Sequence, residues 1–462
     1  MNLDFLSAID EKSQLLIETS RYLWENPELA FTEFKSAARL CEVLRAEGFR
    51  VEEGLADIPT AFSGRFGSGR PVIGFLGEFD ALSGLSQAGG VTERQSLGGA
   101  AGQGCGHNLL GTAALGAAIG LKRYLESHPG SGTVIYFGCP GEEGGSGKAF
   151  MARDGVFDEL DAALTWHPDD STCVRCKTSL ANCQVLYKFD GKASHAGAQP
   201  QLGRSALDAV ELMNVGVNFL REHMIQQARV HYAITDAGGF SPNVVQPHAE
   251  VLYLIRAPRN DQVLDLYARV NDIAKGAALM TGTTESHTFI KACSNTVIND
   301  AIQRVMYEVA QEIGVPEITA EDEAFAREMT LHALMDYPKA DPEHPIHNEL
   351  KPYTGVLESG GGSTDVGDVS WVCPTAQYMA ATRAYGTPGH SWQNVAQGVM
   401  PLAEKTMLCV AKWLSATAVR LLEEPEILVK AKEEHQMRVG PKGYECPIPK
   451  GVRPVAMDSL HK

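Results

Sequence analysis

The chain has 462 residues, too many for one simple core, and this predicts two or three domains. Hydrophobic residues make up 44% and charged residues 21%, an ordinary globular composition rather than a disordered one. The formal net charge of -17 repels phosphate backbones and anionic lipid heads, so neither nucleic acid nor a membrane surface is expected as a partner.

Residues 10–48 read as a helical region. The stretch "NPELAFTEFKSAARLCEVLRAEGF" spaces apolar residues at helical intervals and ends at Gly48. Short apolar runs then alternate with helical stretches. "PVIGFLG" (71–77) predicts a buried strand, "LLGTAALGAAIGLKRYLESH" (109–128) a buried helix, and "GTVIYFG" (132–138) a second strand. "KAFMARDG" (148–155) predicts a short helix and "AALTW" (162–166) a third strand. Strands that are apolar throughout and alternate with helices predict an α/β domain with a doubly wound, mostly parallel sheet.

Near residue 180 the pattern changes. "NCQVLYKFDG", "RVHYAITDAG", "AEVLYLIRAP" and "TESHTFIKAC" read as strands. "RSALDAVELMNVGVNFLREHM" and "DQVLDLYARVNDIAKGAALM" read as helices. The order β-α-β-β-α-β is that of a ferredoxin-like α+β unit. The expected division is therefore a discontinuous larger domain, 1–182 and 293–462, with an inserted domain at 183–292. After residue 295 the first pattern resumes. "NDAIQRVMYEVAQEIG" is a helix, "TAQYMAAT" (375–382) a buried strand, and "NVAQGVMPLAEKTMLCVAKWLSATAVRLL" one long helix. The tail "GPKGYECPIPKGVRP" reads as irregular.

No run of about 18 apolar residues appears, so no membrane span is expected. "MNLDFLSAIDEKSQ" lacks the basic and apolar regions of a signal peptide. The ten cysteines follow no regular framework and are expected as reduced thiols in a cytoplasmic protein.

Polar clusters follow four of the predicted strands. "GEFDAL" brings Glu78 and Asp80, "CPGEEGG" brings Glu142 and Glu143, "HPDD" brings His167, and "GTPGHSWQN" brings His390. "GQGCGHNLLG" adds Cys105 and His107 at a helix start. Open α/β sheets bind ligands outside the carboxyl ends of their strands, so these groups are expected to converge on one crevice. A thiolate, imidazoles and a carboxylate suit Zn²⁺, and Mn²⁺ or Co²⁺ where carboxylates contribute. Cys105, His107, Glu143, His167 and His390 are more ligands than one open tetrahedral site needs. Two ions about 3.5–4 Å apart would use them better, with one ligand shared. Each residue alone has an ordinary structural reading: a small buried cysteine, a capping histidine, a solvated acidic pair, a loop histidine. Together they favour a metal site. A cysteine hydrolase would leave Glu142, Glu143 and His390 without roles. "GEEGGSGKA" lacks the glycine and the Ser/Thr of a phosphate loop. Cys173 and Cys176 form a lone CxxC with no second pair.

At these residues the chain resembles the peptidase family of aminoacylases, carboxypeptidases and N-acyl amino acid amidohydrolases, peptidase family M20, in its cysteine-ligand branch. "NPELAFTEF", "GCGH", "GEEG", "WHP", "GKASHAG" and the late "GHS" carry the resemblance from about residue 15 to 435. "GEFDALSGLSQ", "GCPGEEGGSGKAFM" and "GSTDVGDVSW" are most similar to the B-subunit group of p-aminobenzoyl-glutamate hydrolases. The resemblance implies a metal-dependent amidohydrolase acting on N-acyl amino acids, among them p-aminobenzoyl-glutamate. It implies two divalent ions, Zn or Mn, held by Cys105, His107, Glu143, His167 and His390. Glu142 becomes the general base, Asp80 a residue that supports the metals, and His195 a catalytic contributor. Asn243 and Arg256 become substrate-binding residues. Glu78 stands where relatives with other ligand sets place a metal-binding histidine, and Asn108 where many have aspartate. The family often dimerises through the insertion. A homodimer is therefore expected, with a hetero-oligomer of related subunits, or a dipeptidase or aminoacylase of other specificity, as alternatives.

Overall fold

The glycine- and alanine-rich run after Cys105 forms the central helix of the molecule, His107–Ser127, in a computed structural model that describes residues 3–456. The ends of the expected larger domain, residues 1–2 and 457–462, lie outside the described residues. The helix is buried along most of its length because its small residues let neighbours approach. It packs on the parallel strands and against the helices Ser13–Glu25 and Pro401–Glu423.

The large sheet has eight strands. Its order is Arg50–Glu53, Phe62–Ser68, Gly132–Cys139, Val72–Glu78, Ala162–Asp169, Thr375–Ala381, Ser171–Val174, His347–Leu350. The four central strands, from Gly132–Cys139 to Thr375–Ala381, run parallel. Antiparallel pairs flank them on both sides. Residues in the strand Val72–Glu78 alternate between two cores. Ile73 and Phe75 join the cluster under the central helix, while Val72 and Leu76 join the cluster on the opposite face. Such alternation is what a strand covered on both faces requires.

A second, antiparallel sheet is ordered Arg229–Asp236, His248–Ala257, Ala181–Asp190, Thr284–Cys293. The helices Ala206–Leu220 and Asn260–Thr281 pack on it. In chain order this is β-α-β-β-α-β.

Three local expectations are corrected. The residues 10–48 are not one helical region: Ser13–Glu25 and Phe34–Ala46 are separate helices. Between them Phe31 turns the chain in the left-handed region, φ 63. The long terminal helix is two, Trp392–Gln397 and Pro401–Glu423, because Met400 is extended and Pro401 starts a new helix at a position that needs no N–H. The third strand runs to Asp169, so His167 lies within it, paired in register with Met379, rather than after it. The structure also adds helices that the sequence pattern does not announce, among them Ala320–Met329, Val366–Val372 and Pro425–Val439.

The close approach of the central helix to the strands is testable at Gly111. A Cβ there would sit 2.5 Å from the Glu78 carbonyl oxygen, an atom of the strand backbone that cannot swing aside. Alanine gains about 1 kcal/mol of helix propensity over glycine, but overpacking of this kind costs about 1–3 kcal/mol. Gly111→Ala is therefore expected to lower the urea unfolding midpoint of the full chain; an unchanged or raised midpoint contradicts the tight contact.

Candidate metal centre

The site is assembled at the carboxyl ends of the four parallel strands. Val72–Glu78 delivers Glu78 and, two residues on, Asp80. Gly132–Cys139 runs through Gly141, φ 68, into the short helix Glu142–Gly145. Ala162–Asp169 carries His167, and the loop after Thr375–Ala381 carries His390. Cys105 stands before Gly106, whose left-handed φ of 80 turns the chain into the central helix at His107. Without a Cβ, Gly106 reaches this conformation cheaply. His390 is itself left-handed, φ 56, and its N–H donates to the Gly104 carbonyl at 3.0 Å. Asn394 Nδ2 donates to the same oxygen at 2.6 Å, tying the histidine loop to the cysteine loop.

Cys105 Sγ lies 3.3 Å from His167 Nε2. The other nitrogen of His167, Nδ1, sits 2.8 Å from the Pro168 carbonyl, which can only accept, so Nδ1 carries a proton and the ring is fixed with Nε2 toward the sulfur. His107 Nδ1 lies 2.9 Å from Asp80 Oδ1, and Asp80 Oδ2 accepts the Glu143 N–H at 3.0 Å. One carboxylate thus orients an imidazole and a second carboxylate. His390 Nε2 lies 3.1 Å from Glu143 Oε1.

Three sets of donor atoms among the described residues lie within 4.8 Å of one another: Cys105, His107 and His167; Cys105, Glu143 and His390; and Glu78, His107 and Glu142. The first two share the cysteine. Two buried atoms of these sets, His107 Nε2 and Glu143 Oε1, have no aligned hydrogen bond among the described residues. Buried polar atoms left so are costly unless something else satisfies them, and the donors here are those a divalent cation takes. The residues therefore fit a metal pair.

The charges agree. Burial and Glu143 oppose ionisation of Cys105, yet the imidazoles of His167 and His107 bring its thiol down to about 6. Burial also opposes ionisation of Glu143, but the His390 imidazole 3.1 Å away, with His107 nearby, lowers it to about 2. Its neighbour Glu142 moves the other way: burial, then Glu78 and Glu143, push it well above the ordinary carboxylate range.

Beneath the pair lies a buried cation to which the sequence assigns no role. Lys148 Nζ is 2.7 Å from Glu78 Oε1 and 2.6 Å from Asp365 Oδ1. The lysine stands inside "GEEGGSGKA", a stretch that fails as a phosphate loop and gives no other local reason for it. Its signal is the count of carboxylates nearby, which demands a positive charge. Glu33, from "NPELAFTEF", is a second residue that sequence reasoning misses. Its Oε1 accepts the N–H of Phe31 at 2.9 Å and of Gly141 at 2.8 Å, fastening the turn before Glu142.

A cavity of about 450 Å³ opens over Cys105, Glu142, Glu143, His167 and His390. Arg256 borders it and donates from Nη1 to Ser363 Oγ at 3.1 Å. Arg175, Lys291 and Arg383 border it too, and none stands out in the sequence. His195 and Asn243 do not border it within one chain. They are exposed and adjacent, with the Ala196 N–H donating to the Asn243 carbonyl at 2.9 Å.

A doubly wound sheet that gathers thiolate, imidazoles and paired carboxylates at its strand ends, with a smaller α+β unit beside the cavity, defines a metal-dependent hydrolase. Comparisons narrow the class. Residues 181–280 match a family described as a peptidase dimerisation domain, M20_dimer. The chain is 47% identical to the B subunit of p-aminobenzoyl-glutamate hydrolase from Escherichia coli (strain K12), over 97% of each protein. It is 29% identical to the Xaa-Arg dipeptidase of Mus musculus, over 93% of this chain and 91% of that one. The solved structure of a dinuclear metal-binding M20 peptidase from Bacillus subtilis shares the fold with a TM-score of 0.58 at 18% identity, covering 90% of this chain and 99% of that one. The chain belongs to the M20 peptidase family and is an amide-bond hydrolase of that family.

If Cys105 serves both donor sets, Cys105→Ser is expected to lose about one equivalent or more of bound metal in elemental analysis of the purified chain. Unchanged content refutes the ligand role.

Proposed function

We propose that Cys105, His107, Glu143, His167 and His390 hold two divalent ions, Zn²⁺ or Mn²⁺, and that the chain hydrolyses N-acyl amino acids. p-Aminobenzoyl-glutamate is the first substrate to test, given the 47% identical relative that bears its name. The observation that carries this reading is the opposed environment of two adjacent carboxyls. Glu143 is held ionised among imidazoles, while Glu142, beside it, is pushed up. Neighbouring titratable groups driven apart in this way divide ligand from acid–base labour.

Divalent ions at these donors would supply Lewis acidity and bring the pKa of water toward ~7. Glu142 takes the proton of the attacking water and returns it to the leaving amine. Asp80 keeps His107 and Glu143 in place from the side away from the cavity. Arg256 pairs with the carboxylate of the amino-acid half of the substrate.

The unit at 183–292 acts as lid and dimerisation surface in this proposal. Its edge strand Arg229–Asp236 leaves Tyr232 and Ile234 exposed, 40% and 45%, for a second copy. His195 and Asn243, away from their own cavity, would then serve the site of the second copy. Two of the relatives carry the names of different subunits of one hydrolase, which favours a second reading, in which this chain works with a related partner chain. Turnover by the chain purified alone separates the two.

Glu142→Gln is expected to lower kcat about 10²–10⁴-fold with metal content unchanged, the range a general base supplies. Substantial residual activity would show that Glu142 is not the base. Chelation is expected to abolish turnover, and added Zn²⁺ or Mn²⁺ to restore it; activity that survives complete metal removal overturns the metal mechanism.

A further inference from the structure

We infer that Arg175 is a specificity-determining residue that binds a second carboxylate of the substrate, the side-chain carboxylate of an acidic amino acid whose α-carboxylate pairs with Arg256. This rests on the amide-hydrolase reading above and deepens it by naming the residue that selects the leaving group.

Four cationic side chains border the cavity, but they are not equivalent. Arg383 is committed, with Nη1 donating to the Pro168 carbonyl at 3.1 Å and Nη2 lying 3.3 Å from Asp169 Oδ1. Lys291 Nζ donates to the Glu143 carbonyl at 3.2 Å. Arg256 has one hydrogen bond, to the Ser363 hydroxyl, and no carboxylate partner among the described residues. The Arg175 guanidinium has no oxygen partner among them; its one side-chain contact is the Met379 thioether at 3.9 Å.

That leaves five N–H donors on a partly buried cation served by one weak acceptor. Burial pulls the group below the usual arginine range, with Asp169 the leading charge that opposes the shift. A planar carboxylate matches the guanidinium fork bidentately and would satisfy what the protein leaves open.

The root of the side chain is rigid. The Arg175 N–H donates to the Gln377 carbonyl at 3.0 Å, and its own carbonyl accepts Gln303 Nε2 at 2.6 Å. Its backbone is thus clamped between the strand Thr375–Ala381 of the large sheet and the helix Asp300–Ile313. A binding group fixed this way is preorganised rather than recruited. Arg256 reaches the same cavity from the other sheet, on the strand His248–Ala257. Two guanidiniums from two units, both without a carboxylate, converge where Glu142 stands. A substrate with one carboxylate would satisfy one of them and leave the other without its matching anion. A substrate with two satisfies both.

The test compares the metal-loaded wild-type chain with Arg175→Met and Arg175→Lys. The substrates are p-aminobenzoyl-glutamate and p-aminobenzoyl-glutamine, an isostere whose side chain is neutral and which keeps the α-carboxylate. Calorimetric binding of free L-glutamate and L-glutamine provides a readout that needs no turnover. Arg175→Met is expected to lower kcat/KM for the glutamate substrate on the order of 100-fold, mainly through KM, and to leave the glutamine substrate within about threefold. Arg175→Lys should recover part of the preference, and glutamate binding should weaken in parallel. Equal losses on both substrates, with melting temperature and metal content normal, overturn the inference and leave the hydrolase reading intact. A wild-type chain that hydrolyses neither substrate and binds neither amino acid overturns the substrate reading, and the inference with it.

Discussion

Lys148 is enclosed completely, with its ammonium between Glu78 and Asp365. Four carboxyls, Glu78, Glu142, Glu143 and Asp365, share the same small volume, and like charges so close cannot all ionise without compensation. The lysine supplies that compensation from beneath and the imidazoles from above. It also joins distant parts of the chain, because its backbone N–H donates to Asp365 Oδ2 at 2.8 Å while its side chain reaches the end of the strand Val72–Glu78. Taking one partner from a buried pair of this kind costs about 3–5 kcal/mol, since a charge is stranded in the interior. The lysine therefore holds the site together in the same act that ties its own helix and the Asp365 loop to the end of the strand Val72–Glu78.

The balance among the carboxyls gives them different work. Glu78 is kept low, since Lys148 and His107 outweigh its burial. Glu143 is kept low by His390 and His107, whereas Glu142 receives burial and repulsion without a cation of its own in contact. Sequence neighbours on a four-residue helix thus differ because His390 pairs with Glu143, whereas around Glu142 the repulsion of Glu78 and Glu143 outweighs the nearby His107. Asp80 makes this orientation stable by binding His107 with one oxygen and the Glu143 backbone with the other.

Much of this is legible from local pattern. Apolar runs ending in glycine and acid, as in "GTVIYFGCPGEE", mark parallel strands and the polar groups at their tips, and both depend on a few adjacent residues. What is not legible depends on pairing across long separations. Pro168 reads as a stop and places His167 after its strand, but pairing with Thr375–Ala381 carries the strand past it. The Lys148–Asp365 contact spans 217 residues, and no local spacing announces it. Pro401 is readable as a helix start, yet the apolar period on both sides of it masks the break. Arg175 lies within a CxxC whose cysteines are the more conspicuous residues, and only the packed structure shows its guanidinium without an oxygen partner among the described residues. His195 and Asn243, in "GKASHAG" and "FSPNVV", lie at the surface of their own chain, where a loop that serves another copy has to be.

The chain is acidic, at -17, yet its cavity is bordered by three arginines and a lysine. These facts act at different ranges. At physiological salt the field of exposed charges fades within about 8 Å, so the acidic surface neither strongly attracts nor strongly bars a small anion at a distance. At the cavity wall the guanidiniums act directly, through aligned donors rather than through a long-range field. Selection is then decided by geometry at contact. The geometry needs both units, because Arg175 is fixed by the large sheet and Arg256 by the small one. The Arg256–Ser363 hydrogen bond, spanning from one to the loop of the other, holds the Arg256 guanidinium at the cavity wall.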